Sequence, residues 1–154
     1  PKVKHDAFMN IEQLSRFLFW EGVKYHPEPE FTPELFYQYL VYFGVKNPGI
    51  VFRQTAHETG HFKSPLFLDH NNLFGMNEPR IRETTSLGST TNGFARFSHW
   101  VDSVKDYILW QDYKGQWHDQ TDYYEFLSSV GYAEDPDYER KVKNIPTTKY
   151  PFLI

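Results

Sequence analysis

Prolines and glycines cut this chain into pieces that leave room only for short helices. Thr32-Pro33 reads as an N-cap followed by proline at the first helical position, and Gly44 stops that helix after LFYQYLVYF. Asn47-Pro48 opens the next helix by the same logic, and IVFRQTAHE carries it to a stop at Gly60. Ahead of them, about Asp6 to Gly22, Ile11, Leu14, Phe17 and Leu18 fall at helical spacing. Between Ser64 and about Thr91 the helical period is lost. Two short pieces there, near Ile81–Thr85 and Phe94–Phe97, flank Asn92-Gly93 and predict a small hairpin or flap. Helical spacing returns at Trp100, Val101, Val104, Ile108 and Leu109. Thr121 and Gly131 bracket a further helix, and Asp135-Pro136 opens a last one running to about Ile145. The expected architecture is mainly α (α+β). It is one domain over 1–154, a helical lobe with a flap at about 64–97 beside a cleft.

At 154 residues such a domain can bury a real core. Sixteen basic against twenty acidic residues leave a net charge of −4, which argues against a nucleic-acid partner and against an anionic membrane surface. No apolar run reaches the roughly 18–20 residues of a membrane span. The chain has no cysteine, so disulfides, thiolate metal sites and a cysteine nucleophile are excluded. It begins at Pro1 without a signal-like segment and is read as trimmed. Its 14 Phe, 11 Tyr and 4 Trp exceed what a core needs and point to a ring-lined cleft. Trp100, Trp110, Tyr37, Tyr39 and Tyr42 are expected to pack rather than to bind.

Two motifs compete for one glutamate. His57-Glu58-Thr59-Gly60-His61 matches H-E-x-x-H, in which two histidines on one helix turn hold zinc and the Glu is the base; His70, Glu78 or Glu83 would complete the ligand set. Gly60 costs about 1 kcal/mol inside a helix, and is better read as the residue that ends it and turns His61 away. On the other reading Glu58 stands at a helix C-terminus. Carbonyl dipoles there disfavour a carboxylate, and Phe62 and Leu66 would desolvate it, both favouring the protonated acid that glycosidic cleavage needs. A helix-terminal Glu with no role is the plain alternative.

Four blocks in order break the tie. Gln54-Thr55-Ala56-His57-Glu58-Thr59-Gly60 with Ser64, then Asn71-Asn72-Leu73-Phe74-Gly75-Met76, resembles the Q-A-x-x-E-[ST]-G-x-G-x-S and N-N-L-F-G-[IV]-K of the glucosaminidase domain of glycoside hydrolase family 73. Phe97 to Tyr107 is similar to that family's F-x-x-[YW]-x-x-x-x-S-x-x-D-Y stretch. Gly131-Tyr132-Ala133-Glu134-Asp135-Pro136-Asp137-Tyr138 is similar to its G-Y-A-T-D-P-x-Y. The resemblance implies a lysozyme-like α domain with a small β flap that hydrolyses the β-1,4 bond after N-acetylglucosamine in peptidoglycan, without metal or cofactor. It implies Glu58 as general acid and Tyr132 beside the cleaved sugar. Gln54, Asn72, Phe74, Phe97 and Tyr138 would be substrate contacts, Phe74 stacking on a sugar face. The family's second carboxylate lies in the flap; Glu83 is the first candidate and Glu78 the reserve, with the substrate's own acetamide as the third way to complete the reaction. Phe62 in place of the second glycine, Met76-Asn77 in place of [IV]-K and a short stretch from Glu78 to Asn92 depart from the pattern. Muramidase or lytic transglycosylase action, and a non-catalytic glycan-binding domain, are the rivals on the same fold. The partner is the peptidoglycan glycan strand, the protein is expected to be a monomer, and it must be exported to the periplasm or the cell wall to reach that substrate.

Overall fold

The computed structural model describes residues 28–115, 122–132 and 134–153; the expected helix at 6–22 and Thr121 lie outside the described residues. Thr32 caps α1 (Pro33–Tyr42), its hydroxyl accepting from Leu35 N at 3.1 Å. Proline again takes the first position of α2 (Pro48–Glu58). A helix not expected from the sequence follows, α3 (Pro65–His70), with Ser64 Oγ accepting from Phe67 N at 3.2 Å. Six residues hold too little periodicity to stand out, although Ser64-Pro65 repeats the cap-and-proline signal of the first two helices. Then come β1 (Gly88–Ser89), β2 (Ala95–Arg96), α4 (Trp100–Gly115), α5 (Tyr123–Ser129), α6 (Tyr138–Lys143) and a 3-10 turn (Pro151–Leu153). Asp122 caps α5 through Tyr124 N and Glu125 N. No described helix is long and apolar enough to cross a membrane.

The hairpin exists, but its first strand is displaced from the expected one. Gly88 pairs with Arg96 and Ser89 with Ala95, antiparallel, and Asn77 bridges Phe94. The β-branched stretch Ile81–Thr85 instead packs down on α4. There Asp106, wholly buried, receives both Arg82 guanidinium nitrogens at 3.0 and 2.8 Å, the Thr84 hydroxyl at 2.5 Å and the Thr85 amide at 3.2 Å. Asp106 is thus the anchor of the flap.

The core is largely aromatic. Phe31 meets Phe67 at 4.8 Å and Trp100 edge-on at 5.3 Å, and Phe52 meets Phe62 at 5.6 Å and Tyr150 at 5.0 Å. Offset and edge-to-face pairs at such spacings add about 0.5–1.5 kcal/mol each beyond their buried area. Trp100 and Tyr39 are buried as expected. Phe62 also belongs to this cluster, and Glu58 is exposed, not desolvated as expected.

Candidate active site

Two helix ends of the same construction deliver the central residues. Beyond Glu58, Gly60 adopts φ +56°, its amide bonds His57 O at 3.3 Å, and His61 N bonds Ala56 O at 2.8 Å. This crossed pair is a Schellman cap, which needs a left-handed residue at Gly60. The chain stays left-handed through His61 and Phe62 at φ 61° and 68°. A Thr59 hydroxyl that receives Phe62 N at 2.7 Å and donates to Thr55 O at 2.8 Å braces it there. The second cap ends α5: Gly131 has φ +73°, its amide bonds Ser128 O at 3.1 Å, and Tyr132 N bonds Leu127 O at 3.0 Å. Glu58 is the last residue of one helix and Tyr132 the second residue beyond the cap of the other.

The caps also dispose of the zinc geometry. His61 lies outside α2, stacked on Tyr150 with Nδ1 2.6 Å from its hydroxyl, while the His57 ring meets Tyr138. The two imidazoles do not share a helix face as H-E-x-x-H requires. Among the described residues no group of three potential ligands comes together.

Glu58 opens into a cleft of about 490 Å³ whose walls include Glu78, Arg80, Trp110, Lys114 and Tyr132. Trp110 is a lining residue that is largely buried, its ring 5.3 Å from Tyr132 and 5.2 Å from Tyr107. The Tyr132 hydroxyl donates to Phe74 O, tying the α5 cap to the Asn-Asn-Leu-Phe-Gly loop. Burial first, and then nearby Tyr138 and Glu58, hold the Tyr132 phenol well above the ordinary tyrosine range, so it remains a neutral donor.

The structure separates the two flap carboxylates. Glu78 is on the cleft wall at the root of the hairpin, its Oε2 accepting from Ser86 Oγ at 2.6 Å and its amide bonding Gly93 O at 2.9 Å. Glu83 is exposed on the flap's outer run and does not line the cleft. Its neighbour Arg82 points into the protein to hold Asp106, and the reversal of direction leaves Glu83 outside.

The expected substrate contacts also divide. Phe74 reaches the cleft wall, yet it is only 2 % exposed and its ring packs on Tyr107 at 4.4 Å, which leaves no free face for a sugar. Phe97 is buried away from the cleft, its amide on His70 O and its carbonyl held by Asn71 Nδ2. Asn72, 1 % exposed, spends its whole side chain on backbone: Nδ2 donates to Met76 O and Ala95 O, both at 2.9 Å, and Oδ1 accepts from Phe74 N and Met76 N. It staples the loop to the flap. Gln54 is wholly buried behind Glu58, one helix turn away on the same face, and Tyr138 stands beside both. The Tyr138 hydroxyl and Gln54 Nε2 are buried without a hydrogen-bond partner among the described residues.

A mainly helical domain with a small hairpin flap is a lysozyme-like architecture. The profile of the glucosaminidase family, described as mannosyl-glycoprotein endo-β-N-acetylglucosaminidase, matches residues 35–150, and the chain belongs to that family. It is accordingly a glycoside hydrolase of cell-wall glycans with N-acetylglucosaminidase activity. No curated protein and no solved structure matches it.

Proposed function

We propose that Glu58 is the general acid of this hydrolase, protonating the glycosidic oxygen as positive charge develops at the anomeric carbon of N-acetylglucosamine. The observation that carries this is its place: a carboxyl at the free end of α2, opening into the one cleft it shares with Tyr132 and Glu78. Glu78 replaces Glu83 as the proposed second carboxylate, because it faces the same space and is oriented by Ser86. Tyr132 contributes by exchanging its bond to Phe74 O for one to the substrate's acetamide. Trp110 and the 81 % exposed Ile81 offer apolar surface to sugar faces. The protein acts as a monomer, outside the cytoplasmic membrane, on strands of the wall.

Purified peptidoglycan digested with the protein, reduced with borohydride and read by mass spectrometry tests this. Reduced N-acetylglucosamine ends that disappear in Glu58→Gln, with the melting curve unchanged, are the expected result. A Gln variant of near-normal rate refutes the assignment of the acid. Reduced or anhydro N-acetylmuramic acid ends would transfer the acid to a muramidase or transglycosylase reaction.

A further inference from the structure

Behind the cleft runs a chain of buried hydrogen bonds. Lys46 N donates to Gln111 Oε1 and Lys46 O accepts from Gln111 Nε2, both at 2.9 Å. Backbone polarity cannot be reversed, so the Gln111 amide has one orientation. Its second N–H donates to Tyr123 Oη at 2.9 Å. The Tyr107 hydroxyl donates to Gln54 Oε1 at 3.1 Å and lies 2.5 Å from the Tyr123 hydroxyl, which therefore supplies the proton of the bond they share. The atom of Gln54 that receives the Tyr107 proton is the oxygen, which leaves its Nε2 on the side of Tyr138, and Tyr138 stands beside Glu58. Burial holds both relay phenols above the ordinary tyrosine range, so the donors stay protonated. The chain ends in two buried groups with no hydrogen-bond partner among the described residues, Gln54 Nε2 and the Tyr138 hydroxyl. Such orphans cost roughly 1–3 kcal/mol each and call for an explanation.

We propose that Gln54 is a positioning residue for the general acid: Tyr107 holds its oxygen, so that its N–H is turned to the acid's side, with the Tyr138 hydroxyl beside Glu58 as a second donor. Both donors are engaged when Glu58 has passed its proton to the leaving oxygen, stabilising the carboxylate as it forms and holding it in line. They therefore act late in the reaction. This rests on Glu58 being the acid. Other ionisable groups facing the same cleft are Glu78, Arg80 and Arg82 from the flap, Tyr113 and Lys114 from α4, and Tyr132 after α5; His57, on Glu58's own helix, packs on Tyr138.

Two measurements test it. In Tyr107→Phe the amide loses its lock and can turn its oxygen toward the acid. kcat should fall about tenfold with KM within about twofold, as for loss of a hydrogen bond to a charge that exists only late in the reaction. Gln54→Leu should fall at least as far. An unchanged kcat, or a loss confined to KM, overturns the proposal; the latter would make Gln54 a substrate contact. The second readout needs no turnover: the Gln54 side-chain amide resonances in ¹⁵N NMR should move with pH across the carboxyl range and stay still in Glu58→Gln. An amide that tracks Glu58 in a protein releasing no glucosamine ends would leave the positioning intact and refute the catalytic reading. An active enzyme whose Gln54 amide is silent would do the reverse.

Discussion

Asn72→Ala removes four hydrogen bonds, but the structure shows that not all four partners suffer. Met76 O keeps Ala95 N at 2.9 Å, so it remains paired. Phe74 N, Met76 N and Ala95 O have no other partner among the described residues, and they sit in residues 2 %, 5 % and 0 % exposed. Three orphaned buried backbone groups at about 1–3 kcal/mol each set a cost of about 3 kcal/mol or more. Against a typical total of about 5–15 kcal/mol this is a large share. For a domain of this length it corresponds to a loss of about 6–12 °C in Tm. Urea unfolding followed by circular dichroism gives the free energy directly. Asn72→Asp keeps both acceptor bonds but turns a carboxylate oxygen toward two carbonyls, so it should be destabilised as well. Activity per folded molecule should also drop, because Phe74 O is what the Tyr132 hydroxyl holds. A ΔΔG below about 1 kcal/mol for Asn72→Ala would show that the groups find other partners and that the staple is not what orders the loop.

Other consequences are as direct. Glu78→Gln should lower kcat on the order of 10²-fold or more, whereas Glu83→Ala should stay within a few-fold; the reverse order, measured on reduced glycan ends, would return Glu83 to the site. Arg82→Met strands the buried Asp106 with only Thr84 and Thr85, at an expected cost of about 3–5 kcal/mol, and limited proteolysis should then cut within 78–92 first. His61 is held below the ordinary histidine range by burial first, then by Lys149, Lys63 and His57. Its folded form thus prefers the neutral ring, so its contribution is present above the unfolded value of about 6.5 and is lost as pH falls through that value toward the lower folded one. Tm of the wild type should drop more between pH 7 and pH 5 than that of His61→Gln, and parallel curves would refute the assignment.

What the sequence carried well was local. Thr32-Pro33, Asn47-Pro48 and Gly60 mark helix ends because capping uses residues within a few positions of one another. The ends in turn placed Glu58 at the mouth of a cleft and His61 away from His57. The flap was harder. Ile81–Thr85 has the composition of a strand, but Arg82, Thr84 and Thr85 are drawn to Asp106 more than twenty residues on, and the ladder falls to Gly88-Ser89. The same long-range pull decides which flap glutamate faces the cleft. Asn72 reads as a groove residue because its loop is one, yet its side chain turns inward to backbone. The relay was invisible for the plainest reason: Lys46 to Gln111 and Gln54 to Tyr107 are pairings across 65 and 53 residues, between types that each have ordinary surface roles.

Trp110 has one further consequence, an optical one. Its indole is 8 % exposed, lines the cleft, and lies within 5.3 Å of two tyrosines. A glycan resting in that cleft replaces water at the indole edge, and excitation absorbed by Tyr107 and Tyr132 drains into the same ring. The chain has four tryptophans, so the share of the emission that belongs to Trp110 is the difference between Glu58→Gln, where a strand can bind without being cut, and the same variant carrying Trp110→Phe; that share is a gauge of occupancy built into the protein.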